Sequence, residues 1–165
     1  MDRSMQVLRL RLSNTKSRPM IRYQSGEEMV VALVDTGSET PVWCGEGKDL
    51  LRAYPDAVKK DEVCELSGFG KGAVSANVYV LPEFRLENEG KCYKIKNLQI
   101  MQCFRPDFGC DFVLSDTIFS NVDTLIYRHG KKYIDICYYK EEYFCTPVYG
   151  ARRFKITVWP QGESN

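Results

Sequence analysis

The amino-acid sequence predicts a mainly β domain with one or two short helices, and three observations carry that expectation. Short apolar runs either alternate with polar residues or stop at turn residues, which is the signature of strands. A glycine-rich segment, Ser67-Gly68-Phe69-Gly70-Lys71-Gly72, separates two such runs in the manner of a hairpin. Helix signals are confined to two short segments, around Lys48–Tyr54 and directly after Ser115.

Taken in chain order, Val7–Leu12 alternates as an amphipathic strand, Met20–Tyr23 comes next as a second, and Glu28–Val34 is a third that becomes fully apolar. Lys48–Tyr54 reads as a turn or two of surface helix closed by Pro55, inside a polar segment that runs to Glu62. Val63–Leu66 and Ala73–Val80 flank the glycine-rich turn. Further strands are expected at Tyr93–Phe104, Phe112–Leu114, Thr124–Tyr127, Tyr133–Tyr138 and Phe154–Trp159. Ser115 is placed to N-cap a short helix through Asp116–Phe119. There is no internal repeat, low-complexity tract or interdomain linker, so 1–165 reads as one domain.

Composition narrows the function classes. A chain of 165 residues buries a real core in one domain. With 23 basic and 22 acidic residues there is no electrostatic case for nucleic acid or an anionic membrane as partner. No apolar run approaches the roughly 18–20 residues that span a bilayer, and charges interrupt Gln6–Leu12, unlike a signal-peptide core. The seven cysteines are odd in number and scattered, which suggests free thiols in a reducing compartment, with the cytoplasm as the expected location. They lack the close pairs of a metal site, so no metal and no cofactor is expected. The single histidine, His129, sits in the polar turn Arg128-His129-Gly130-Lys131-Lys132, and nothing nearby supports a Cys-His or Ser-His-Asp centre. The Gly68–Gly72 segment is no phosphate loop either: the residues after it are β-rich, and no Gly-Lys-Ser/Thr is present. A purely structural hairpin turn is the plain alternative there.

The most informative stretch is Val31-Ala32-Leu33-Val34-Asp35-Thr36-Gly37-Ser38. It places a carboxylate at the end of an apolar strand, where the acid must be hydrogen-bonded or shift its pKa. Gly37 lets backbone amides approach, and two hydroxyls lie within reach. A turn aspartate capping a loop is the bland reading. This stretch resembles the fingerprint of the aspartic proteases: two hydrophobic residues, then Asp-Thr-Gly-Ser. Two further features come in the family's order, the glycine-rich hairpin where its flap lies, and Asp111-Phe112-Val113-Leu114-Ser115-Asp116-Thr117-Ile118-Phe119, similar to its second hydrophobic strand and short helix. Ser115 departs from the pattern, standing where a glycine is usual. The chain looks most similar to small bacterial retropepsin-like proteins, over about residues 6–138, with 139–165 as a C-terminal extension outside the likeness.

The resemblance implies a closed barrel or sandwich of retropepsin type and an aspartic endopeptidase whose catalytic acid is Asp35. It also implies roles for the neighbours. Thr36 would reach across to a partner loop, Gly37 would give close backbone approach, and Ser38 would donate to the Asp35 carboxylate. Gly68, Phe69 and Gly70 would form the tip of a substrate-binding flap. That chemistry needs two carboxylates, and the chain holds one motif. Asp116-Thr117 is a poor second, because Ile118 replaces the glycine. A C2 homodimer with two copies of Asp35 is the expected solution, stitched by strands at the chain ends, Val7–Leu12 and Phe154–Trp159, which would otherwise be exposed edges. The aromatic cluster Tyr138–Phe144 is a further candidate for that interface. Substrates would be extended peptides or proteins held by main-chain hydrogen bonds. The alternative is a non-catalytic domain of the same fold that dimerises or binds peptide.

Overall fold

The structure is a computed structural model, and it describes residues 4–13, 18–45, 47–67, 74–104, 109–145 and 155–157. Three strands open the chain: β1 (Met5–Ser13), β2 (Met20–Ser25) and β3 (Glu28–Val34). The β2–β3 turn needs a glycine for two reasons. Gly26 has φ +56, and a Cβ there would lie 2.3 Å from the carbonyl oxygen of Arg52. That close approach seats α1 (Gly47–Ala53) on the turn: the Glu27 N–H donates to Arg52 O at 3.0 Å, and Ser25 Oγ donates to Ala53 O at 2.7 Å.

The remaining elements are β4 (Val42–Trp43), β5 (Val58–Ser67), β6 (Val74–Asn88), β7 (Lys91–Gln102), β8 (Phe112–Leu114), α2 (Asp116–Phe119), β9 (Thr124–Arg128), β10 (Tyr133–Tyr139), β11 (Tyr143–Phe144) and β12 (Lys155–Thr157). One sheet path runs β12-β5-β6-β7-β4-β8-β3-β2-β1-β10-β9, with β11 added on β7. The architecture is the mainly β, retropepsin-like one with two short helices. Among the described residues the path ends at β12 and β9 and does not close by hydrogen bonds. No helix among them is long and apolar enough to cross a membrane.

The decisive feature is a crossing. β8 lies between β3, to which it is parallel, and β4, to which it is antiparallel, and all three of its residues are buried. Parallel pairing buried on both faces accounts for the unbroken apolar runs Ala32-Leu33-Val34 and Phe112-Val113-Leu114. On one side the crossing rests on Trp43, Tyr54, Phe84 and Phe112, which meet edge-on at centroid distances of 5.4 Å for Trp43–Phe112 and 6.0 Å for Phe84–Phe112. On the other a smaller cluster of Val42, Val113, Cys44, Cys64 and Cys103 forms a second core.

Two expected strand bounds need correction. β5 begins at Val58, because Lys59-Lys60-Asp61-Glu62, read as loop, lies in a strand whose register shifts between Lys59 and Val63. β6 passes through Pro82 to Asn88. The missing amide is tolerated because Pro82 falls between the paired positions Leu81 and Glu83, opposite Asn97 with φ +57. β1 pairs along one flank with β10, from Met5↔Tyr139 to Arg11↔Tyr133, and meets β2 only at Leu12 and Ser13. Of the C-terminal candidate, Lys155–Thr157 pairs in parallel with Glu65–Ser67 of β5, while Phe154, Val158 and Trp159 lie outside the described residues. Of the aromatic cluster, Tyr138 is buried, while Tyr139 and Tyr143 are half-buried. Tyr138 and Tyr143 both pack on Tyr93, at 5.4 and 5.7 Å, and Phe144 is exposed.

The β1–β10–β9 end is pinned by one buried carboxylate. Asp135 accepts from Arg9 Nε at 2.7 Å and from Arg128 Nε at 2.7 Å, and its side chain is 3% exposed. The Arg9 hydrogen bond, with that of Arg128, overcomes burial and holds its carboxyl at about 2 instead of 3.8. A depressed folded-state value means that the unfolded chain takes up this proton first as pH falls. The contribution is therefore complete above 3.8 and is lost as pH falls through about 2. At about 1.4 kcal/mol per pH unit it amounts to about 2 kcal/mol at neutral pH. Urea denaturation of Asp135→Asn should show a loss of that order at neutral pH, and the difference from the parent should vanish towards pH 2.

Candidate active site

Asp35 comes directly after β3, and its backbone continues the parallel ladder one step further: the Asp35 N–H donates to Leu114 O at 2.9 Å. The carboxylate is then fixed by its own turn. Gly37 N–H donates to Oδ1 at 3.1 Å, Ser38 Oγ donates to Oδ2 at 2.7 Å, and the Ser38 N–H closes on Asp35 O at 3.2 Å. Each carboxylate oxygen accepts one bond, which sets the plane of the group and leaves lone pairs for a further donor. Asp35 is half-buried, Thr36 and Gly37 are exposed, and Ser38 is buried. The acid thus sits at the surface on a fixed base.

That base includes residues the sequence did not single out. The Asp116 N–H donates to Ser38 O at 2.9 Å, and Thr117 Oγ1 donates to Glu39 O. Asp116-Thr117, a poor second acid motif, therefore braces the Asp35 turn from α2. Ile118, buried, anchors that helix. Below the turn, Asp111 clasps β3, with Oδ2 accepting from the Val31 N–H at 2.9 Å and its own N–H donating to Val31 O at 2.8 Å. No sequence signal marks Thr117 or Asp111 for these tasks, because both depend on strands far apart in the chain meeting in space.

Ser115 occupies the N-cap position of α2, but its side chain makes no capping bond. Its φ of −85 and ψ of 178 are extended and open to any residue, so the backbone here does not demand a glycine. The hydroxyl is fully buried and has no hydrogen-bond partner among the described residues. Gly68, Phe69 and Gly70, the expected flap tip, lie outside the described residues. The strands that lead to them, β5 and β6, pair up to Leu66↔Val74. Among the described residues no three His, Cys, Asp or Glu side chains come together in a way that could hold a metal.

A cavity of about 710 Å³ lies elsewhere, between β1, β2, the end of α1 and β6, and the Asp35 turn does not line it. The Tyr23 and Tyr54 hydroxyls meet there at 2.8 Å, and burial pushes the Tyr54 phenol up to about 12, so it stays neutral.

No family model matches this sequence, and no curated protein matches it. Among solved structures, the chain is similar to a retropepsin-like aspartic protease from Rickettsia conorii. The match has a TM-score of 0.52 and 15% sequence identity, and covers 84% of this chain and 97% of the other. At that identity the likeness concerns the fold.

Two outcomes check this geometry in urea denaturation. Ser38→Ala removes a charge-assisted bond and should cost about 1–2 kcal/mol. Ser115→Ala removes a buried hydroxyl that has no partner among the described residues and should stabilise the protein by about 1 kcal/mol; a loss instead would reveal a bond at that hydroxyl.

Proposed function

We propose that the protein is a retropepsin-type aspartic endopeptidase that works as a homodimer, with Asp35 from each protomer forming the catalytic pair. The observation that carries the reading is the paired fixation of the Asp35 carboxylate by Gly37 N–H and Ser38 Oγ at the end of a buried strand. The fold-level likeness to a retropepsin-like protease supports it.

In this mechanism two Asp35 carboxyl groups face one another across a two-fold axis. Two like charges at roughly 3 Å cannot both ionise, so the pair shares one proton. The ionised member acts as general base on a water held between them, and the protonated member polarises the scissile carbonyl. The proton taken from water ends on the leaving amine, and no covalent enzyme intermediate is needed. Gly37 and Ser38 hold each carboxylate in plane, so the pair is oriented before substrate arrives. The exposed Thr36 is positioned at the rim, from which its hydroxyl would reach the partner's turn. The segment 68–70, between β5 and β6, would close over an extended peptide held by its main chain.

Sedimentation velocity combined with a peptide-library cleavage assay tests this reading. Self-association that strengthens with a transition-state aspartic-protease inhibitor is expected, together with cleavage that the inhibitor stops. Asp35→Asn should reduce cleavage by roughly 10⁴-fold while leaving the dimer intact. A dimer that cleaves nothing would favour the non-catalytic peptide-binding alternative, and a strict monomer would remove the mechanism.

A further inference from the structure

The second core cluster is rich in sulfur, and the strand registers explain why. β4 runs parallel to β7, with Val42↔Met101 and Trp43↔Gln102, and the Cys103 N–H donates to Trp43 O at 3.0 Å. Cys44 therefore lies beside Cys103. On its other flank β4 is antiparallel to β8, and the Cys44 N–H donates to Asp111 O at 2.7 Å, which brings Cys110 alongside. Cys110 packs against the cluster that contains Cys44. Cys44 is 1% exposed, whereas Cys110 is only partly covered. Cys110 is thus the partly exposed thiol of the two and Cys44 the buried one.

The surroundings favour reaction at the outer sulfur. A Cβ on Gly109 would lie 3.0 Å from Arg18 Nη2, so the guanidinium rests on the Cys110 loop. The Cys44 side chain and the Arg18 charge, against burial and Asp111, hold the Cys110 thiol below the usual range. Cys64, in the same cluster, has its thiol pushed up to about 11 by burial, and its Sγ sits 3.0 Å from Met101 Sδ. It is the inert member.

We propose that Cys110 and Cys44 are a peroxide-responsive thiol pair that closes to a reversible disulfide at the entry of β8, the end of that strand away from the Asp35 turn. The Cys110 thiolate attacks the O–O bond of a hydroperoxide, forming Cys110 sulfenic acid and releasing hydroxide or alkoxide. The Cys44 sulfur then attacks the sulfenic sulfur. The S–O bond breaks, water leaves with the Cys44 proton, and the S–S bond forms. Two thiols are oxidised by two electrons and one peroxide is reduced; a dithiol reverses the change. The new bond ties the end of β4 to the entry of β8, locking the strand that supports Asp35.

The chain, freshly reduced, is treated with hydrogen peroxide, then unfolded in denaturant and alkylated with iodoacetamide. The expected result is two fewer modified thiols out of seven, a Cys44–Cys110 linked peptide in a non-reducing digest, and full recovery with dithiothreitol. Cys110→Ser, at a partly exposed position, should abolish the link. Cys44→Ser should leave a dimedone-reactive sulfenic acid on Cys110. Amide exchange at Asp111–Leu114 should slow in the oxidised form. Unmodified Cys110, a link between other cysteines, or unchanged exchange at those amides would overturn the proposal. None of these readouts uses peptide cleavage, so they stand or fail separately from the proteolytic reading.

Discussion

A carboxylate at the mouth of a fully buried strand must be given hydrogen-bond donors before the strand can end there, and much of this architecture serves that need. Burying an acid without partners costs several kcal/mol or forces it neutral. β3 avoids this by delivering Asp35 to the surface while its last residues remain inside. Its backbone then has to be paired up to the final residue. β8 provides that pairing through Leu114 O, and α2 continues it through the Asp116 N–H to Ser38 O. The short length of β8 has the same origin: three residues suffice to fill the gap between β3 and β4 before α2 turns away.

The same accounting explains why the supports are spread across the sequence. Asp111, Leu114, Asp116 and Thr117 belong to one short segment, yet they act on Val31, Asp35, Ser38 and Glu39 roughly eighty positions earlier. Contacts of that range form only when the crossing strand has docked, which couples the shape of the Asp35 turn to folding of the whole domain. At the far end of the sheet, Asp135 does a similar job for β1, β9 and β10, where one carboxylate satisfies two arginines. The β10 end and the crossing are therefore held differently, the first by charge and the second by apolar packing.

This division sets what was legible in the sequence. The Asp35-Thr36-Gly37-Ser38 turn was readable because its bonds are local, spanning at most three positions, and local chemistry leaves a motif. Glu28–Val34 and Phe112–Leu114 were readable because burial on both faces leaves unbroken apolar runs. The strand through Lys59–Glu62 was not, since a polar edge with a register shift looks like loop. Nor was the length of β6, because Pro82 reads as a stop unless its partner is known to be Asn97 in the left-handed region. The closing turn of that hairpin, Glu89 at φ 49 and Gly90 at φ 80, has a glycine but lacks the usual asparagine or aspartate before it. The pairing of β1 with β10 was hidden for a different reason. Alternation says that a strand has two faces but never names its neighbour.

That last point bears on how two copies would meet. β10 covers one flank of β1 along Met5–Arg11, and β2 meets the strand only at Leu12 and Ser13. β9 is a terminal strand of the path and carries Ile126 and Tyr127 exposed, so an unpaired edge and apolar side chains coincide there. The Asp35 turn poses a complementary demand. Its carboxylate oxygens each accept one internal bond and keep unused lone pairs towards solvent, beside the exposed Thr36 and Gly37. On the proposed reading, a second protonated carboxyl group, from another copy of the chain, is the donor that would complete this arrangement. On that reading each protomer would supply half of a reaction centre, its acid already fixed by Gly37 and Ser38 on strands anchored within the same chain.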